Sequence, residues 1–85
     1  SGDPRQSQQA VRIAELADKT THHKSPEVLD TLAAAYAADE RFELAAQTIR
    51  EALSLIDPNH VYAPEFRARL ALYDAKKPYL ESRTN

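Results

Sequence analysis

The chain has 85 residues, 28% of them charged, and a formal net charge of −2, which allows one small domain and argues against the basic surface of a nucleic-acid binder. With no cysteine it has no disulfide framework, thiol nucleophile or cysteine zinc site, and its single glycine excludes phosphate-cradling glycine loops. No apolar run approaches the ~20 residues that a membrane-spanning helix needs, and no signal-peptide pattern is visible.

Asp3-Pro4 opens the first predicted helix. Asp is a good N-cap, Pro suits the first helical position, and Gln6 stands at a box-like spacing. Ala10, Ile13, Ala14, Leu16 and Ala17 form its apolar stripe, which ends near Asp18. Lys19 to Ser25 (KTTHHKS) is polar, lacks a stripe and reads as a linker. Ser25-Pro26 repeats the capping logic of Asp3-Pro4, and Glu27 favours the positive end of the helix dipole.

The stretch from Pro26 to Asn59 reads as two amphipathic helices hinged at Asp39-Glu40-Arg41. Leu29, Leu32, Ala33 and Tyr36 recur at spacings of three and four before the hinge; Phe42, Ala45, Ile49, Ala52 and Ile56 do so after it. Alanines at 33, 34, 35, 37, 38, 45, 46 and 52 are small enough for the two helices to approach closely. The first helix is expected over about Pro26–Ala38 and the second over about Arg41–Ile56, as an antiparallel hairpin. Leu44, Leu53 and Leu55 make the second helix apolar over a wide arc, so a further element must cover its far side. Val61, Tyr62, Phe66, Leu70 and Tyr73 fall at the spacings of such a helix, with Pro64 either in its first turn or kinking a helix that starts near Asn59. Arg67, Arg69, Asp74, Lys76 and Lys77 are expected on its outer face. Lys77-Pro78 stops it, Tyr79-Leu80 is expected to fold back, and Glu81 to Asn85 to fray.

These residues resemble a tetratricopeptide repeat, a helix–turn–helix unit of ~34 residues. Pro26 through Asn59 counts 34 residues and carries Leu29-x-x-Leu32-Ala33-x-x-Tyr36, then Ala45-x-x-x-Ile49, Ala52 and Asp57-Pro58. Leu29 stands for the pattern's Trp, Ala33 for its Gly and Ile49 for its second aromatic; Glu40 occupies a turn position often held by Gly, and Pro58 falls one place late. The resemblance implies an all-α fold of four helices, a short right-handed hairpin solenoid. Residues 6–19 would be the second helix of a truncated preceding repeat, 26–59 one full repeat, 61–76 a capping helix and 77–85 a tail. The run RLALYDAKKPYLES resembles the chain end of many bacterial multi-repeat proteins. Because the chain lacks methionine and Ser1-Gly2 matches the remnant of a cleaved tag, it is expected to be a piece of a longer repeat protein.

Candidate chemistry is sparse. His22, His23 and His60 could suggest a metal, but adjacent His22 and His23 point different ways and no carboxylate shares their loop; solvated histidines are the stronger reading. Glu27, Asp30, Asp39, Glu40 and Glu43 read as solvated helix faces, not paired acid/base carboxylates. Ser7, Ser25, Ser54 and Ser82 lack nucleophile-elbow glycines. Tyr36 is expected as a core knob, and Tyr62, Tyr73 and Tyr79 to bury their rings. No enzyme activity, cofactor or metal is indicated.

The family's ligand surface is the concave face, which by spacing maps to Glu27, Asp30, Ala34, Ala37 and Ala38. It lacks the Lys, Arg and Asn that members gripping a chaperone C-terminal carboxylate place there, and its acid-and-alanine character suits a basic or small-side-chain partner. The expected function is a protein–protein interaction or scaffolding module that binds another protein or peptide. The alternative is homodimerisation through apolar surface left by the truncated repeat, with Ile13 and Leu16 as the exposed pair.

Overall fold

The computed structural model describes residues 3–79. They form four α-helices: α1 (Pro4–Thr20), α2 (Pro26–Ala38), α3 (Phe42–Ser54) and α4 (Ala63–Asp74). No strand occurs among the described residues, and the fold is all-α. Each helix packs chiefly on its neighbours in the chain: α1 on α2, α2 on α3, and α3 on α4.

Local chemistry accounts for where the helices begin. The Asp3 carboxylate accepts the Arg5 amide at 2.9 Å, and Pro4 needs no amide partner at the first position. Gln6 contributes only its amide, to the Asp3 carbonyl. The Ser25 hydroxyl accepts the Val28 amide at 3.2 Å, with Pro26 following. Neither α3 nor α4 has a side-chain cap. Ahead of α4, turns take up the amides: Asn59 bonds the Asp57 carboxylate at 2.8 Å, and Tyr62 bonds His60 Nδ1 at 3.0 Å.

Three helix ends share one device. Past α1, α2 and α4, a residue other than glycine sits in the left-handed region: His22 at φ 57°, Glu40 at φ 62° and Lys76 at φ 59°. The amide of the next residue reaches back to close the last turn: His23 to Asp18 at 2.8 Å, Arg41 to Tyr36 at 2.8 Å and Lys77 to Leu72 at 2.9 Å. His23 is itself left-handed, at φ 59°.

The core lies along the α2–α3 seam. Leu29, Leu32, Ala33, Tyr36 and Ala37 of α2 are buried against Ala45, Ala46, Ile49 and Ala52 of α3. Val11 and Ala14 join from α1, and Phe66 and Tyr73 from α4. Full burial of Leu29 or Ile49 removes a side chain worth about 1.5–3 kcal/mol from water. Thr48, the one buried polar residue among those described, satisfies its hydroxyl on the Leu44 carbonyl at 2.7 Å. As expected from its wide apolar arc, α3 is covered twice, by α2 and by α4.

Several expectations need correction. The stripe on α1 centres on Val11 and Ala14, whereas Ile13 and Leu16 are 62% and 65% exposed. Helix α3 ends two residues before Ile56, because Leu55 and Ile56 tighten onto the carbonyls three residues back. Val61 is 78% exposed and precedes α4. A helix starting at 61 would need residue 64 to donate an amide to residue 60, and Pro64 has none. Arg69 does not decorate an outer face but is half-buried. Tyr79 does fold back, its ring 4.3 Å from the Arg69 guanidinium, while Leu80 and Glu81–Asn85 lie outside the described residues.

The left-handed caps yield a direct prediction. A residue with a Cβ carries roughly 1–2 kcal/mol of strain there, partly offset by the larger entropy that glycine loses on folding. Glu40→Gly should therefore stabilise the fold by about 0.5–1 kcal/mol and raise Tm by about 2–8 °C in thermal denaturation. A lower Tm for Glu40→Gly would contradict this account of the turn.

Candidate functional site

The five expected concave-face residues do not form one surface. Glu27 and Ala38 are exposed, and Asp30 and Ala34 are half-buried. Ala37 is only 1% exposed and belongs to the core. On a helix it falls off the line through 27, 30, 34 and 38 and turns toward the buried side of Ala33 and Tyr36. Ala38 lines a separate open depression of about 590 Å³ with Asp3, Pro4, Gln6, Ser7, Asp39 and Glu40. There the Ser7 hydroxyl donates to Asp39 at 2.8 Å and ties the start of α1 to the end of α2.

Glu27 and Asp30 instead join α4. With Thr31 they line a cleft of about 260 Å³ whose other wall is Tyr62, Glu65, Phe66 and Arg69. The Tyr62 and Phe66 rings pack with centroids 5.7 Å apart. The Arg69 guanidinium pairs with Asp30 across the cleft and approaches Glu65 at 3.7 Å along its own helix. Glu27, Asp30 and Glu65 outnumber Arg69, so the cleft is net acidic. Its α4 half escaped the sequence reading because 39 residues separate Asp30 from Arg69. The available signal was their opposite charge at half-apolar helix positions.

Burial pushes the Asp30 carboxyl above its ordinary value; Arg69 opposes the shift and Glu65 adds to it. One Asp30 oxygen, Oδ1, is buried without a partner. The Tyr73 hydroxyl is likewise buried and unpartnered, and burial, reinforced by the Asp30 charge, pushes it up to about 12. Tyr36 is the expected core knob: its hydroxyl donates to Glu15 at 2.7 Å, and burial first, then that carboxylate, raise it to about 12. The Arg41 guanidinium lies 5.1 Å from its ring.

Two of the three histidines make defined side-chain contacts. His23 is no free linker residue: Nδ1 lies 2.6 Å from Asp18 and Nε2 2.9 Å from Glu51. His60 accepts an amide at Nδ1 and packs on Tyr62 at 5.0 Å. Among the described residues, no group of three or more His, Asp or Glu side chains is arranged to hold a metal ion. No helix there is long and apolar enough to cross a membrane.

Comparison with protein-family models, curated proteins and solved structures found no match for this chain. Chemically, the cleft offers carboxylates at its rim and the half-exposed Tyr62 ring in its wall, a combination that suits an ammonium or guanidinium group.

Removing Arg69 would leave Asp30 half-buried and uncompensated. Arg69→Met should destabilise the protein by about 1–3 kcal/mol near neutral pH in urea denaturation. A carboxyl whose folded pKa is raised binds its proton more tightly when folded, so stability falls as pH rises from its ordinary value of 3.8 through the raised one. The deficit of Arg69→Met should therefore shrink toward acid pH, where Asp30 becomes neutral. A deficit that does not change with pH would show that the pair is not its source.

Proposed function

We propose that this chain is a tetratricopeptide-like interaction module, a terminal hairpin and capping helix of a right-handed helical array, with no reaction of its own. The observation that carries the reading is packing between chain neighbours, α1 to α2 to α3 to α4, the organisation of a linear stack. Further support comes from Leu29, Tyr36 and Ile49, buried at the family's hydrophobic positions, and from Glu40, left-handed where the pattern often has Gly. The partner surface is the α2–α4 cleft, and the partner a segment bearing a lysine or arginine. Its charged end would meet Glu27 and Glu65, and its aliphatic stem would lie along the half-exposed Tyr62.

Selection of a random peptide library on the immobilised chain tests this. Enriched peptides should carry a basic residue, and Glu27→Lys with Glu65→Lys should weaken them about tenfold or more, a loss of ~1.4 kcal/mol. Enrichment of peptides without basic residues, or binding indifferent to the double substitution, would overturn the reading.

The exposure of Ile13 and Leu16, 62% and 65%, favours a second reading, self-association through the outer face of α1. A second copy would cover the pair by helix-to-helix packing. Sedimentation equilibrium from micromolar to millimolar concentration should then show dimers that Ile13→Asp with Leu16→Asp abolishes. A chain monomeric throughout that range would dismiss self-association.

A further inference from the structure

We propose that His23 is a proton-operated clip that fastens the α1–α2 loop to α3, closed while its ring is doubly protonated and released when the ring becomes neutral.

The geometry carries the inference. Nδ1 faces an Asp18 carboxylate oxygen at 2.6 Å, at the end of α1, and Nε2 faces Glu51 at 2.9 Å, on α3. Both partners accept hydrogen bonds and neither, when ionised, can donate. A neutral imidazole has one N–H and one bare lone pair, so it can satisfy only one of them; its other nitrogen would face a carboxylate oxygen, lone pair against negative charge. Only the imidazolium, with a donor on each nitrogen, makes both contacts. In chain terms the ring is flanked by His22 and Lys24, and the charges that act on it are Asp18 from α1 and Glu51 from α3.

The two contacts are not equivalent. The Asp18 side chain is 14% exposed and its other oxygen, Oδ1, is buried without a partner, so it depends on His23 for a donor. The Glu51 side chain is 40% exposed and can turn to water. On losing a proton the ring keeps Nδ1–H for Asp18, and the link to α3 is the one that opens. Among the described residues this is the one polar side-chain link between the α1–α2 loop and α3. The remaining side-chain ties of α1 run to α2 and the cap that follows it, from Glu15 to Tyr36 and from Ser7 to Asp39. Val11 and Ala14 are the buried residues of α1, which rests on α2, so the His23 link is its polar connection toward α3.

The hydrogen bond to Asp18 is the largest influence raising the His23 pKa above 6.5, and burial partly opposes it. A raised imidazole pKa means that the clip's contribution is fully present below the unfolded value and is lost as pH rises through the folded one. The window therefore opens at 6.5 and extends upward.

The test is amide exchange of α1 and an NMR titration of the His23 ring, in the wild type and in Glu51→Ala. The substitution is on a partly exposed helix position and leaves the left-handed His23 backbone untouched. After correction for intrinsic rates, wild-type α1 exchange should rise about two- to fivefold between about pH 6 and pH 8.5, the scale of one exposed ion pair. In Glu51→Ala that rise should vanish and the His23 titration should move down. In Glu51→Gln, whose amide can donate to a neutral ring, α1 protection should be retained at the higher pH. Wild-type protection that is flat across this range, or a pH dependence that survives in Glu51→Ala, would overturn the proposal.

Discussion

The close approach of α2 and α3 is the constraint on which the rest of this structure depends. Ala33 and Ala37 on one helix, and Ala45 and Ala52 on the other, are fully or almost fully buried in the core that the two helices share. Small side chains there let the two backbones come together, and Leu29, Tyr36 and Ile49 fill the space on either side. A larger residue at an alanine position would push the helices apart and unseat those three. Once the seam is closed, each helix has a second face to cover, and α1 and α4 have places to dock.

The connections between the helices contain no glycine. Three helix ends pass through left-handed residues that carry a Cβ, at His22, Glu40 and Lys76. Each is held by a backbone bond that returns to the last turn, so the chain accepts local strain for a sharp reversal. The strained positions are exposed, where a long polar side chain can extend into water. Two of the longest-range polar links then tie elements that are not chain neighbours, His23 of the α1–α2 loop to Glu51 of α3 and Asp30 of α2 to Arg69 of α4. They add specificity of arrangement to a core that packs mainly between neighbours.

The same arrangement makes the acidic cleft. Docking α4 on α3 brings its Glu65, Phe66 and Arg69 beside Glu27 and Asp30 of α2. Arg69 pairs with the half-buried Asp30 and approaches Glu65, so the three carboxylates Glu27, Asp30 and Glu65 share one cation. A cleft of this kind forms where two helices meet and is not the property of either one alone.

What the sequence by itself determined was local. The period of apolar residues, the Ser25-Pro26 cap and the Asp39-Glu40-Arg41 break are short-range signals, and α2 runs from Pro26 to Ala38 as they predict. The need for a cover on α3 was legible for the same reason, since a wide apolar arc must be hidden from water. Pro64 also held the information that α4 starts at Ala63, in an amide it does not have. The tertiary structure decided which partners meet: that Ala37 is core, that Arg69 turns inward to Asp30, and that His23 reaches Glu51. Those outcomes depend on how the helices are rotated and spaced against one another. Periodicity fixes which face of a helix is apolar, but the pairing of charges across 28 or 39 residues exists only after packing has brought them together and removed the water between them.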